Sequence, residues 1–80
     1  MPKENTARVI DAQALDSRHV RVRFTDGHTG TIDMTQLLVY PAWQPLRDPQ
    51  LFATAHAAHG TVTWDNNIDI APERAHELAQ

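Results

Sequence analysis

The sequence has no cysteine, only 3 glycines among its 80 residues, and an aromatic share of 6%. Without cysteine, the chain has no disulfide framework, no thiolate zinc site and no cysteine nucleophile. It contains no stretch of 18 consecutive apolar residues, and its start, MPKENTARVI, holds no apolar run of signal-peptide length. We therefore expect a cytoplasmic chain that does not enter a membrane and whose core is held together by packing alone.

Basic residues are also few, since 7 Lys and Arg stand against 10 Asp and Glu, a formal net charge of −3. General binding of a phosphate backbone needs a basic excess, so the charge balance disfavours that class of protein. Eighty residues with ordinary hydrophobic and charged content fit one small domain and exclude a two-domain enzyme. Because so small a domain buries only about 60% of its unfolded surface, a homodimer or a partner-stabilised fold stays an open alternative.

Alternating residues mark the clearest strand of the chain. Val20, Val22 and Phe24 alternate with Arg21 and Arg23, which gives one apolar and one basic face at the strand period of two. The sequence therefore predicts a strand with its valines and phenylalanine in the core.

A hairpin is predicted around this strand. Residues 8–15 favour a preceding strand, and Asp26-Gly27 is typical of a two-residue type I′ turn, in which both central residues have positive φ. The chain then returns through residues 30–32 as an antiparallel strand, with Gly30 as a candidate bulge.

Short helical turns are expected in the middle of the chain. Asp33 or Thr35 can cap a turn that ends before Pro41, and Asp48 followed by proline is typical of a helix start. Residues 40–45 hold two prolines and two aromatic residues, so we predict a stiff loop in which Tyr40 and Trp43 stay partly exposed.

The last third of the chain is predicted to contain two strands, a turn and a helix. Residues 53–57 are ambiguous between helix and strand, and the Gly60 break with the β-branched and aromatic residues 61–64 favours a strand hairpin. Asn67 is expected at positive φ, followed by a short strand around Asp69. Pro72 opens a helix that runs to Leu78.

The predicted fold is thus α+β, with a small twisted antiparallel β-sheet, short helical turns and a C-terminal helix. Residues 1–6 are expected to be a flexible leader, and residues 7–80 a single domain. The predicted core consists of ten apolar side chains: Val20, Val22, Phe24, Ile32, Leu37, Phe52, Val62, Trp64, Ile70 and Leu78.

Four segments together resemble the domain of unknown function 2442 family of small prokaryotic domains. They are residues 24–27 (Phe-Thr-Asp-Gly), 32–34 (Ile-Asp-Met), 46–48 (Leu-Arg-Asp) with Phe52, and 64–73, which run from Trp64 to Glu73. Asn67 stands where the family usually has glycine, and Ile68 where it often has alanine. Asparagine tolerates positive φ, so the turn is preserved. Ala71 stands where a serine or aspartate cap is more usual, which weakens the last helix by about 1 kcal/mol.

The resemblance implies the same α+β fold but no activity. Some members resemble the amino-terminal half of longer proteins that end in a helix-turn-helix module. Other, stand-alone members are regarded as forming toxin–antitoxin pairs with members of the domain of unknown function 4160 family. Since the given chain ends at Gln80, we expect no such module and no direct DNA binding. The motif residues Asp26, Gly27, Trp64, Asn67, Asp69, Pro72 and Glu73 are interpreted as structural.

The candidate metal-binding and catalytic residues of the chain are better explained by structural roles. His56 and His59 are two imidazoles at a spacing that can serve a metal on a helical turn, but on a strand followed by a turn they diverge, so we expect no metal and no cofactor. Asp69 is interpreted as an acceptor for turn or helix-start amides. No phosphate loop or glycine-rich fingerprint is present, so we expect no enzyme.

Two surfaces remain as binding candidates. Tyr40 and Trp43 supply apolar area in a stiff segment, and Arg21 and Arg23, extended by Arg8 on a neighbouring strand, form a basic strip. The leading hypothesis is a protein-interaction module, the antitoxin-like or regulatory member of a two-protein system. The alternative is a nucleic-acid-associated accessory protein that acts through the arginines.

Overall fold

The computed structural model describes residues 7–79, so the predicted leader over residues 1–6 lies outside the described residues. Six strands form two antiparallel three-stranded sheets, in the orders β1-β2-β3 and β4-β5-β6. The strands are β1 Val9–Ala14, β2 His19–Phe24, β3 Thr29–Asp33, β4 His56–Ala58, β5 Thr61–Thr63 and β6 Asp69–Ile70. The helices are α1 Pro49–Phe52 and α2 Pro72–Leu78, with 3₁₀ helices at Met34–Gln36 and Pro41–Arg47. The predicted α+β class is confirmed, with the strands divided between two sheets.

The central strand of the first sheet, β2, follows the predicted alternation. Val20, Val22 and Phe24 are buried, and Arg21 and Arg23 are exposed. This face separation fixes the register, because a shift by one residue would bring the arginines into the core.

The bulge of this sheet lies in β1 and not at Gly30. The register of β1 against β2 shifts between Val9 and Asp11, whereas Gly30 pairs regularly with Val22. The extra residue at the bulge is Ile10, which is left exposed. The candidate bulge at Gly30 was therefore wrong, since a glycine in a strand also fits a regular ladder position.

The turn after β2 differs from the predicted type I′ turn, because Gly27 has a positive φ of 88° but Asp26 does not. Phe24 N–H donates to His28 O at 2.9 Å and Gly27 N–H donates to Phe24 O at 3.1 Å, which makes a three-residue loop. Asp26 Oδ1 accepts a 2.9 Å bond from His28 N–H, so the aspartate is held locally and only the glycine takes the left-handed conformation.

Two consecutive residues with positive φ occur instead between β4 and β5. His59 and Gly60 have φ values of 55° and 78° and connect the paired residues Ala58 and Thr61. Asn67 has the predicted positive φ, 71°, and sits in a loop of the same kind as Gly27, with its N–H donating to Trp64 O at 3.0 Å.

The helical segments begin at the predicted caps. Asp33 Oδ1 accepts from Thr35 N–H at 2.9 Å, and Asp48 Oδ1 accepts from Gln50 N–H at 3.0 Å. The segment predicted as a loop over residues 40–45 is mostly 3₁₀ helix. Pro41 opens this helix, where an N–H would have no partner within it, whereas Pro45 lies inside the helix. Helix α2 begins at Pro72 and ends at Leu78 as predicted, with Glu73 in its first turn and no side-chain cap from Ala71.

One cluster of buried apolar side chains joins the two sheets and the helices. Nine of the ten predicted core members are buried, and Leu78 is partly buried against the cluster. Trp64 donates its Nε1–H to Phe52 O at 3.1 Å, so its polar atom is satisfied inside the core. In residues 7–79, no helix is long and apolar enough to cross a membrane.

Candidate interaction surfaces

Two neighbouring apolar side chains project from the segment between the 3₁₀ helices. Val39 is 60% exposed and Tyr40 is 58% exposed. We call these two residues the apolar pair. Single exposed apolar residues are common on protein surfaces, but two large ones in sequence on a structured segment form a candidate contact surface.

The segment that carries the apolar pair is fixed at both ends. Leu37 and Leu38 are buried before it, and Leu46 is buried after it. Tyr40 N–H donates to Leu37 O at 3.0 Å. Arg47 Nε–H donates to Leu38 O at 3.0 Å, which ties the end of the second 3₁₀ helix to the segment that precedes it. The apolar pair is therefore presented on a backbone that is already ordered.

Trp43 differs from the apolar pair in its environment. Its ring packs edge-on against Trp64, with the centroids 6.5 Å apart and the planes at 77°. The side chain is half-buried and packs against the core cluster. Both aromatic residues are partly exposed as predicted, but Trp43 anchors the segment and Tyr40 is its outward side chain.

Arg21 and Arg23 form the second candidate surface, which we call the arginine strip. Both are exposed, and neither has an ion pair or a side-chain hydrogen bond within the described part of the chain. Arg23 lies opposite Asp11 in β1 and Thr29 in β3. Arg8 does not extend the strip, because its Nη2–H donates to His59 O at 2.8 Å and its guanidinium lies against Gly60.

A cluster of two histidines and an aspartate, which sequence reasoning missed, joins the β2–β3 turn to α2. His76 Nε2 lies 3.0 Å from Asp26 Oδ2, and the rings of His28 and His76 stack with centroids 4.4 Å apart. The hydrogen bond from His28 N–H lowers the pKa of the Asp26 carboxyl, and the contact with His76 lowers it further. No local sequence signal links α2 to the β2–β3 turn, because the three residues of the cluster are brought together only by the fold.

The remaining histidine candidates lie on the second sheet. His56 and His59 line one shallow groove together with Asp65 and Asn67. A hydrogen bond of 2.6 Å joins His56 Nδ1 to Thr54 O. Within residues 7–79 no group of three or more histidine or carboxylate side chains is arranged to hold a metal ion.

The predicted role of Asp69 as an amide acceptor is not found. Asp69 is exposed, and its carboxylate has no hydrogen-bond partner among residues 7–79. Asn66 performs that role one turn earlier, where its Oδ1 accepts from Ile68 N–H at 3.2 Å. The turn is thus held by an asparagine side chain, and the aspartate points to solvent.

Comparison with known proteins gives one family and one similar structure. The sequence model of the family described as "Protein of unknown function (DUF2442)" matches residues 9–74. The fold is similar to that of the crystal structure of "Putative DNA Binding Protein NE0471" from Nitrosomonas europaea ATCC 19718, with a TM-score of 0.68 and 26% sequence identity. The similarity covers 82% of this chain and 44% of the other, so this chain spans less than half of that protein. A search of curated proteins finds no match.

Proposed function

We propose that this chain, which belongs to the DUF2442 family, is a protein-binding module whose contact surface is the apolar pair. The observation that carries the proposal is the exposure of Val39 and Tyr40, 60% and 58%, on a segment whose backbone is hydrogen-bonded and anchored in the core. Tyrosine is enriched at interface hot spots, because it offers large apolar area together with a hydroxyl.

The order of the segment favours binding. Pro41 and Pro45 restrict the backbone, and Trp43 is held against Trp64. A segment that is already fixed loses little conformational entropy when a partner docks, so more of the contact energy remains as affinity. Ile10 is also exposed, at 51%, but it is a single apolar side chain at a strand bulge and not one of a neighbouring pair.

In the finer form of this proposal, the chain is the antitoxin-like or regulatory member of a two-protein system. The partner then carries the activity, and this chain covers or stabilises it through the apolar pair. The size of the domain supports this role, since 80 residues suffice for one core and one contact surface.

The test is capture of a partner from native lysate with matched variants. Tyr40→Ala removes the outward side chain of the apolar pair, and the control Ile10→Ala removes an exposed apolar side chain at the start of β1. We expect the same partner with the wild type and Ile10→Ala, and its loss with Tyr40→Ala at an unchanged melting temperature. Equal capture by all three proteins would contradict the proposal.

Co-expression tests the finer form. A partner identified in that way is expressed alone and together with this chain. We expect the partner alone to slow growth, the wild-type chain to restore growth, and Tyr40→Ala to fail to do so. A partner without effect on growth would reject the antitoxin-like role while leaving the binding role intact.

A second candidate function is that of a nucleic-acid-associated accessory protein that acts through the arginine strip. It is favoured by the absence of side-chain partners for Arg21 and Arg23 within the described residues, and by the name of the similar Nitrosomonas europaea protein, which mentions DNA binding. Binding of this kind weakens steeply as salt rises, whereas apolar contact does not. Replacing both arginines by glutamine would abolish it and leave binding through the apolar pair unchanged.

A further inference from the structure

The outer edge of β3 has backbone groups without partners. Strand β3 ends the first sheet, since β2 pairs with it on one side and no strand pairs on the other among residues 7–79. Phe24 N–H bonds to His28 O, and hydrogen-bonded positions alternate in an antiparallel pair. Gly30 and Ile32 therefore bond to β2, and Thr29 and Thr31 direct their N–H and C=O groups outward.

Strand β3 has few of the sequence features that usually prevent another strand from pairing with an exposed edge. The strand reads Thr-Gly-Thr-Ile-Asp, without lysine or proline, and its pairing to β2 contains no bulge. Proteins normally protect an exposed edge with such features or cover it with another element. The β3 edge is thus open to a further extended segment.

Helix α2 borders the edge and shapes a groove along it. The groove is lined by Thr31 and Asp33 of β3, by Glu77 and Leu78 of α2, and by His19 and Gln36. Leu78 is partly buried and gives the groove an apolar flank. The groove is open to solvent, so a single extended segment can enter it from the side.

The groove is acidic. Asp33 of β3 and Glu77 of α2 are exposed carboxylates in its lining. Hydrogen bonds from Thr35 lower the pKa of the Asp33 carboxyl, and the nearby His19 and Arg18 lower it further. His19 Nε2 lies 3.9 Å from Asp33 Oδ1. The other ring nitrogen of His19, Nδ1, lies closer to a second carboxylate, at 3.0 Å from Asp16 Oδ1. Glu77 has no ion pair among the described residues.

We propose that the β3 edge binds an extended peptide segment of a partner protein by strand addition, with a basic side chain of that segment between Asp33 and Glu77. The backbone groups of Thr29 and Thr31 supply the hydrogen bonds, and the two carboxylates select the charge of the segment. A second copy of this chain fits less well, because two-fold pairing of β3 brings two acidic grooves together. The inference goes beyond the proposed function, since it concerns a different surface and does not depend on the apolar pair.

The test uses a defined probe, an octapeptide of alternating valine and lysine, followed by nuclear magnetic resonance of the isotope-labelled protein. We expect the amide signals of Thr29 and Thr31 to shift and their hydrogen exchange to slow. The same peptide with glutamate in place of lysine is expected to bind at least tenfold more weakly. No shift at these amides, or equal binding of the two peptides, would overturn the proposal.

Variants of the edge separate backbone pairing from other contacts. Thr31→Pro removes an outward N–H without touching the ladder to β2 and should weaken binding at least tenfold, whereas Thr31→Val should leave it within twofold. A Val-Lys peptide methylated on the amides that face β3 gives the same loss without altering the protein. Self-association that shifts the same amides without peptide would reject the peptide as occupant. Tyr40→Ala is expected to leave peptide binding unchanged, so the apolar pair and the β3 edge succeed or fail separately.

Discussion

His76 Nε2 lies 3.0 Å from Asp26 Oδ2, although the two residues are 50 positions apart in the chain. The contact joins α2 to the turn between β2 and β3. The His76 ring also packs against Phe24, with the centroids 4.7 Å apart, and stacks on His28. The C-terminal helix is therefore attached to the first sheet by a polar contact that covers a core aromatic residue.

The first prediction concerns the pH dependence of stability. The His28 N–H, followed by His76, holds the pKa of Asp26 below its ordinary value of 3.8. A depressed carboxyl pKa stabilises the fold above the unfolded value and loses that effect as the pH falls through the folded value. We expect the urea concentration at the midpoint of unfolding to decrease as the pH is lowered below about 4. This decrease should be less steep in Asp26→Asn.

The control for this experiment is Asp69→Asn, which removes an exposed carboxylate without a hydrogen-bond partner among the described residues. Its acid limb should match that of the wild type. Asp16 and Asp33, whose carboxyl pKa values are also lowered, keep part of the dependence in both variants. An acid limb in Asp26→Asn identical to that of the wild type would show that the hydrogen bond from His28 N–H and the contact with His76 contribute nothing to the pH dependence.

Phe24→Ala tests the packing of the hairpin. Phe24 is fully buried and contacts the rings of both His28 and His76. Its truncation should cost about 3–5 kcal/mol of the free energy of unfolding, enough to unfold a domain of this size. Leu15→Ala, at an exposed apolar position, should change stability by about 0.5 kcal/mol or less. A cooperative melt of Phe24→Ala close to that of the control would reject the assigned core.

Local patterns predicted most of the fold. The alternation in β2, the aspartate caps at Asp33 and Asp48, and the proline at the start of α2 each act within a few residues, so a single sequence reveals them. The division into two sheets depends on contacts between distant segments. So does the contact of His76 with Asp26.

The turns illustrate the same limit. Asp26-Gly27 and His59-Gly60 both end in a glycine with positive φ, but only the second pair forms a two-residue turn. The choice depends on the bond from His28 N–H to Asp26 and on the register of the flanking strands. Of the candidate sites, the exposure of Tyr40 and of the two arginines was predictable from the pattern, whereas the partnering of Arg8 with His59 O was not.

Asn67 gives the third prediction. Its φ of 71° lies in the left-handed region, where glycine is at ease and β-branched residues clash. Asn67→Gly should be neutral or stabilising, and Asn67→Val should lower the free energy of unfolding by about 1–2 kcal/mol. Chemical denaturation of the two variants measures the difference. Full tolerance of valine would mean that the turn is assigned wrongly.

The fourth prediction compares two glycines. A Cβ at Gly60 would lie 2.5 Å from Arg8 Nε, whereas a Cβ at Gly27 would meet nothing within 4 Å, and both residues have positive φ. Gly27→Ala should therefore cost only the conformational strain, about 1 kcal/mol. Gly60→Ala should cost about 0.5–1 kcal/mol more, because the guanidinium must leave His59 O.

A double-mutant cycle isolates this extra cost. In an Arg8→Ala background the two glycine substitutions should become equal in their effect on the free energy of unfolding, since the crowding atom is gone. An undiminished difference between them in that background would show that Arg8 is not its cause.

Binding of the captured partner by the apolar pair is tested most directly by titration calorimetry at two salt concentrations. The experiment compares three proteins that have first been shown to have the same melting temperature. They are the wild type, Tyr40→Ala, and the double variant Arg21→Gln with Arg23→Gln. We predict that Tyr40→Ala raises the dissociation constant at least tenfold, which corresponds to about 1.4 kcal/mol of binding free energy. The arginine variant and higher salt should change the dissociation constant less than twofold. Unchanged affinity in Tyr40→Ala, with a steep loss in salt and in the arginine variant, would contradict the account and favour the arginine strip.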